Sequence, residues 1–186
     1  MKFYESGDSS KPVIFLFPGT CCLYSSFEHV LDRLHSYFYT VTVSYDGFDP
    51  NEKTEFYSME DECEKIELEI KKKYGGRIKA AYGCSLGGSF VSLLIQRKRI
   101  HIDHGIIGSS DMDEAGHLVA KIKSSMVVPF MYKMIHTGAL PKFMQKKLNK
   151  TDEVKKELYN GFLNMFGIGK GGNPWITKQS IYNQFY

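Results

Sequence analysis

A run of six residues, Gly83-Cys84-Ser85-Leu86-Gly87-Gly88, constrains the fold of this 186-residue chain more than any other segment. It lies where an apolar, strand-forming stretch (residues 77–82) gives way to a helical one (residues 86–97). Ser85 is therefore predicted to lie on a strand-to-helix turn. A turn this sharp holds its central residue in a strained backbone conformation and lifts the side chain clear of the sheet.

The glycines of this run are explained by the same turn. Gly83 and Gly87 stand two residues before and two residues after Ser85, where neighbouring backbone comes too close for a Cβ atom. The Leu86 amide belongs to the first helical turn, has no intrahelical acceptor, and can point at an oxyanion. Gly-x-Ser-x-Gly also occurs by chance in glycine-rich loops, but the strand before it and the helix after it favour a catalytic serine.

Strands and helices alternate along the first part of the chain. The continuous apolar run before Pro18 is typical of a strand that is buried on both faces. This alternation predicts an α/β fold with a mostly parallel sheet, flanking helices and right-handed crossovers. The predicted strands are 12–17, 39–45, 77–84 and 102–108, and the predicted helices are 24–38, 58–74 and 86–97.

After Asp113 the pattern becomes helical, and we predict no strand up to residue 186. The spacing of apolar residues predicts a helix bent or interrupted at Pro129, followed by helices over residues 141–148 and 153–166. The glycine-rich run 167–172 lacks the Ser or Thr after its lysine that a phosphate-binding loop requires, so we expect a hinge or loop there. The predicted domains are a core over residues 1–112 and an all-helical segment over residues 113–186.

Composition excludes several functional classes. The 24 basic and 21 acidic residues leave a net charge of +3, too small to indicate a nucleic-acid partner. No apolar run approaches the length of about 18 residues that a membrane span needs. The four cysteines show neither metal-ligand nor disulfide spacing, and residues 1–11 do not resemble a signal peptide. We therefore expect a cytoplasmic protein with no metal and no cofactor; the oligomeric state is not indicated.

With these elements placed, the chain resembles the α/β-hydrolases from about Val13 to Tyr186. The segment Phe17-Pro18-Gly19-Thr20 is similar to the family's His-Gly loop, with Pro18 in place of the histidine. The resemblance implies that Ser85 is the nucleophile and that the backbone amides of Thr20 and Leu86 form the oxyanion hole. It also implies that the helical segment is a cap domain over the active site.

The chain departs from the family in its catalytic base and acid, which the family takes from loops after its last strands. All six histidines precede that point; they are His29, His35, His101, His104, His117 and His136. His117 and Asp111 are remote candidates for the base and the acid. We expect both groups beyond Tyr186, an exposed apolar sheet edge where further strands would pair, and little or no activity in residues 1–186 alone.

The resemblance implies a serine hydrolase that cleaves an ester or thioester of a small to medium apolar acyl group. Two alternatives stay open. One is a non-catalytic protein that binds a small molecule on the same fold. The other is a cysteine nucleophile, Cys84 or Cys21, although Cys84 precedes the apex of the turn and is expected to point back into the sheet as a structural thiol.

Overall fold

The computed structural model describes residues 1–110, 117–169 and 171–185, without the side chains of residues 117–123 and 147. Its strands are β1 (Lys2–Ser6), β2 (Val13–Phe17), β3 (Tyr39–Ser44), β4 (Arg77–Cys84) and β5 (His101–Gly108). A 3₁₀ helix (Tyr24–Phe27) precedes α1 (Glu28–His35), α2 (Met59–Tyr74) and α3 (Leu86–Arg97). The C-terminal helices are α4 (His117–Thr137), α5 (Lys142–Asn149), α6 (Glu153–Asn164) and α7 (Lys178–Phe185).

The five strands form one sheet in the order β1-β3-β2-β4-β5. The pairs β3–β2, β2–β4 and β4–β5 are parallel, so the predicted parallel sheet is confirmed. β1 is the exception, because it pairs antiparallel with β3 and was not predicted from the sequence. Its residues, Lys-Phe-Tyr-Glu-Ser, lack the apolar run that marks the central strands.

Helices α2 and α3 follow their predicted bounds closely. Ser58 caps α2, since its side-chain oxygen accepts a hydrogen bond from the Asp61 amide. Gly75 ends α2 in the left-handed conformation with φ 62°. The helix predicted over residues 24–38 is instead a 3₁₀ turn followed by the shorter α1.

The described part of the C-terminal segment is helical, as predicted. Helix α4 continues through Pro129, so it is not interrupted there, and the alternative prediction of a bend at Pro129 stays a prediction. Helix α7 was not predicted. Among the described helices, none is both long and apolar enough to cross a membrane.

The hydrophobic core covers both faces of β2, because its alternate residues enter two different clusters. Phe15 and Phe17 join the larger cluster with side chains from α2 and α3, whereas Ile14 and Leu16 pack in the smaller one with Phe27. The interpretation of this segment as a strand buried on both faces is confirmed. Because the centre of the sheet is packed on both sides, the loops at the ends of its strands rest on a rigid base.

β5 forms one edge of the sheet, and within the described residues it pairs only with β4. Its apolar residues Ile106 and Ile107 are 47% and 44% exposed. The expectation of an exposed apolar sheet edge is therefore confirmed.

Candidate active site

Ser85 lies at the junction of β4 and α3, between the last residue of the strand and the first of the helix. Its backbone dihedrals are φ 52° and ψ −121°, a region that residues with a Cβ seldom adopt. Its amide donates a 2.8 Å hydrogen bond to the Gly108 carbonyl at the end of β5, and its side chain is exposed. The predicted position and strained geometry of Ser85 are confirmed.

The two glycines around Ser85 are packed against backbone. A Cβ on Gly83 would lie 1.9 Å from the Gly87 carbonyl oxygen, and a Cβ on Gly87 would lie 2.0 Å from the Phe17 carbonyl oxygen. Because these are main-chain atoms of the turn and of β2, they cannot move aside independently. Neither position accepts a side chain without a shift of the backbone.

The first turn of α3 begins at Ser85 itself. The Ser85 carbonyl accepts a 2.8 Å hydrogen bond from the Gly88 amide and a 3.4 Å bond from the Ser89 amide. Leu86 is the first residue of α3, so its amide has no acceptor within the helix. It is therefore placed to serve an acceptor outside the helix.

Another turn, formed by residues 19–22, packs against the strand-to-helix turn that carries Ser85. The Cys22 amide donates a 3.0 Å hydrogen bond to the Gly19 carbonyl. Cys21 has φ 59° and Thr20 does not have a positive φ, which is the φ pattern of a type II turn. We call residues Gly19 to Cys22 the 19–22 turn. A Cβ on Gly19 would lie 3.5 Å from the Ser85 Cβ, so the 19–22 turn contacts the turn that carries Ser85. Within the described part of the chain, the Thr20 amide has no hydrogen-bond acceptor.

The histidines with described side chains are engaged elsewhere or lie on other elements. His35 is within hydrogen-bond distance of Ser6 and Thr40 (3.0 and 3.1 Å), and His101 pairs with Asp103 at 3.2 Å. The ring of His136 packs on Tyr132. The remaining two, His29 and His104, belong to α1 and β5.

No histidine among the described residues forms a hydrogen bond with Ser85. Asp111 lies outside the described residues, as does the side chain of His117. Their suggested roles therefore stay predictions.

The cysteines differ in their exposure. Cys21, Cys22 and Cys63 are buried, whereas Cys84 is half-buried. Burial raises the pKa of Cys22 and of Cys63 to about 12 and the pKa of Cys21 still higher. A raised thiol pKa lowers the fraction of reactive thiolate, which argues against Cys21 as a nucleophile.

We expect Cys84 to react first when the native protein is treated with Ellman's reagent at pH 8. A thiol with a pKa near 12 is ionised in about one molecule in 10⁴ at that pH, and the buried thiols are also inaccessible. A Cys84→Ser variant should lose the fast phase, and all four thiols should react in urea. Modification of Cys21 ahead of Cys84 would instead support a cysteine nucleophile.

A groove of about 1080 Å³ lies between the start of α1 and helix α6. Its α6 wall is mostly apolar and includes Leu158, Phe162 and Met165, and its opposite wall includes Ser25 and His29. The Met165 carbonyl accepts a 3.0 Å hydrogen bond from the Leu23 amide, the first residue after the 19–22 turn. This bond joins one end of the groove to the residue that follows the 19–22 turn, although Ser85 itself is not among the residues that line the groove.

One contact at the 19–22 turn was missed by sequence reasoning. The side-chain oxygen of Gln184, on α7, accepts a 2.7 Å hydrogen bond from the Cys21 amide. The two residues are 163 positions apart, and no sequence pattern links them.

Comparison with known proteins identifies the fold. No protein-family model matches the sequence, and no curated protein sequence matches it. A protein assigned to the α/β hydrolase family from Desulfitobacterium hafniense superposes with a TM-score of 0.74 at 14% identity, covering 99% of this chain and 70% of that chain.

Two other solved structures show the same architecture. A thermophilic esterase from Thermogutta terrifontis, with malate bound, has a TM-score of 0.70 at 14% identity, covering 99% of this chain and 66% of its own. A 1H-3-hydroxy-4-oxoquinoline 2,4-dioxygenase has a TM-score of 0.65 at 15% identity, covering 98% and 65%. This chain therefore has the α/β-hydrolase fold, and it spans 65 to 70% of the length of these three chains.

Proposed function

We propose that this protein is a serine hydrolase that cleaves an ester or thioester of a small to medium apolar acyl group. The observation that carries the proposal is the exposed Ser85 at a strained strand-to-helix turn, with the 19–22 turn in contact beside it. A serine held in this way presents its hydroxyl to a substrate, while backbone amides are available nearby.

In the proposed reaction, the Ser85 oxygen bonds to the substrate carbonyl carbon and its proton passes to a general base. The carbonyl oxygen becomes an oxyanion, which accepts hydrogen bonds from the Thr20 and Leu86 amides. The tetrahedral intermediate expels the alcohol or thiol, which takes up a proton, and leaves an acyl-enzyme. Water then attacks the acyl carbon, the bond from this carbon to the Ser85 oxygen breaks, and the acyl group leaves as a carboxylic acid while the Ser85 oxygen regains a proton.

The apolar substrate class is supported by the groove beside α6, whose wall carries Leu158, Phe162 and Met165. Burial of an acyl chain against such a wall gains roughly 0.8 kcal/mol per methylene group. We propose that the described helices α4 to α7 belong to the cap of the active site, as the resemblance implies.

The proposed reaction requires a base, and no described histidine forms a hydrogen bond with Ser85. We propose that the base and its orienting acid come from residues that the structure does not describe. A serine hydroxyl without such a partner is a weak nucleophile.

A non-catalytic binding protein is the second candidate, favoured by the same lack of a histidine partner for Ser85 among the described residues. On this interpretation the groove would hold a small apolar ligand without turnover. The two candidates differ in the reactivity of Ser85, which can be measured directly.

The test is labelling of the full-length protein with a fluorophosphonate probe, which bonds covalently to an activated serine. We expect one modified site, mapped by mass spectrometry to the peptide that contains Ser85. The matched control is Ser92, a half-buried serine on α3 that hydrogen-bonds to the Gly88 carbonyl and should stay unmodified. A folded full-length protein that is not labelled would reject the hydrolase and favour the binding protein.

A further inference from the structure

The 19–22 turn has a conformation that its sequence does not favour. The third residue of a type II turn needs a positive φ, which glycine adopts readily and other residues adopt at a cost. That residue here is Cys21, with φ 59°. A type I turn would give Cys21 a negative φ, so something outside the turn must hold the type II form.

Gln184 makes the contact that distinguishes the two forms. Type I and type II turns differ by rotation of their central peptide, which here joins the Thr20 carbonyl to the Cys21 amide. That amide is buried with Cys21 and donates its 2.7 Å hydrogen bond to the side-chain oxygen of Gln184. Rotation of the peptide would turn a carbonyl oxygen toward the Gln184 oxygen, and the hydrogen bond would be lost.

The side-chain nitrogen of Gln184 indicates that its side-chain oxygen makes the important contact. Gln184 is only 8% exposed, and its side-chain nitrogen has no hydrogen-bond partner among the described residues. A buried amide nitrogen without a partner is costly. The contact to the Cys21 amide is therefore the polar interaction that this side chain makes in its buried position.

Helix α7 holds Gln184 in place because the helix is hydrogen-bonded to the loop after β3. The Ser180 side-chain oxygen accepts a 3.2 Å hydrogen bond from the Phe56 amide, and the Asn183 side-chain nitrogen donates a 2.7 Å bond to the Phe56 carbonyl. The Ser124 hydroxyl, on α4, donates to the Phe185 carbonyl. α7 thus joins the loop after β3 and helix α4 to the 19–22 turn.

We propose that Gln184 is a positioning residue: its hydrogen bond to the Cys21 amide anchors the 19–22 turn, holds it in its type II form and prevents displacement of the segment that carries the Thr20 amide and contacts the Ser85 turn. This inference rests on the proposed function, in which the Thr20 amide binds the oxyanion. Gln184 does not touch the substrate. It acts through the peptide that follows Thr20, and a displacement of about 1 Å at such a site can lower the rate about 100-fold.

The experiment compares two substitutions of Gln184 in the full-length protein. Gln184→Met keeps the length of the side chain and removes the acceptor oxygen, whereas Gln184→Glu keeps an acceptor oxygen and removes the unpartnered nitrogen. Gln179→Met is the matched control, because Gln179 is exposed on the same helix and bonds only to Asn183 in the described contacts. The measurements are the sign of the Cys21 φ from NMR chemical shifts, and kcat and KM for p-nitrophenyl acetate.

For Gln184→Met we expect a negative Cys21 φ and a kcat about 100-fold lower, with KM changed less than about threefold. Gln184→Glu should keep the positive φ and most of kcat, and Gln179→Met should match the wild type. A Gln184→Met protein with a positive φ and wild-type kcat would overturn the proposal. So would a Gln184→Glu protein as impaired as Gln184→Met.

The φ measurement separates this inference from the proposed function. If the wild type shows no turnover that depends on Ser85, the proposed function fails and the catalytic role of Gln184 fails with it. A change in the sign of the Cys21 φ in that protein would still show that Gln184 sets the conformation of the turn.

Discussion

Replacement of Ser85 by alanine is expected to lower the turnover of an activated ester by a factor on the order of 10⁶. The alanine methyl group cannot bond to the substrate carbonyl, so no acyl-enzyme forms. The fold should stay intact, because the Ser85 side chain is exposed and has no hydrogen bond to a described residue. The measurement is hydrolysis of p-nitrophenyl acetate by the full-length protein, with thermal unfolding followed by circular dichroism.

The control for this substitution is Ser89→Ala. Ser89 lies one turn further along α3, and its hydroxyl is 3.1 Å from that of Ser110. This variant should keep wild-type turnover. If Ser85→Ala retained more than a tenth of the wild-type kcat, Ser85 would not be the nucleophile, and Cys84 would be the next residue to replace.

Replacement of Gly87 by alanine is expected to destabilise the native state by about 4 kcal/mol or more, or to prevent folding. The added Cβ would lie 2.0 Å from the Phe17 carbonyl oxygen and 2.9 Å from the Pro18 carbonyl oxygen. Both oxygens belong to the end of β2 and the loop after it, so relief of the overlap requires that α3 move away from the sheet. The measurement is the free energy of unfolding in urea.

The matched control is Gly161→Ala. Gly161 is an exposed residue inside α6, and a Cβ there would have no neighbouring atom within 4 Å. Alanine is favoured over glycine inside a helix, so this variant should gain about 0.5 to 1 kcal/mol. A Gly87→Ala protein as stable as the wild type would contradict the close approach of α3 to β2.

The turn at Ser85 was predictable because its requirements are local. A strand, two glycines and a helix within about twenty residues specify the strained apex without information from the rest of the chain. The parallel order of the sheet followed from the alternation of strands and helices for a similar reason. Each prediction used a pattern that one short segment carries by itself.

The missed features depend on contacts between distant segments. β1 has a mixed polar and aromatic sequence, and it is a strand because it pairs with β3. The role of α7 depends on Gln184 and on the loop around Phe56, which is more than 120 positions from it. Periodicity and turn signals do not report such contacts, and a single sequence offers no other trace of them.

At the turn that carries Ser85, the path of the backbone does not depend on which side chain stands at the apex. Gly83 and Gly87 fix the path of the backbone, whereas the side chain at position 85 faces solvent and is not part of the packing. A cysteine or an aspartate at this position would occupy the same point at the apex of the turn. If Ser85 is the nucleophile, as proposed, the reacting group can be exchanged at this one position without repacking of the protein around it.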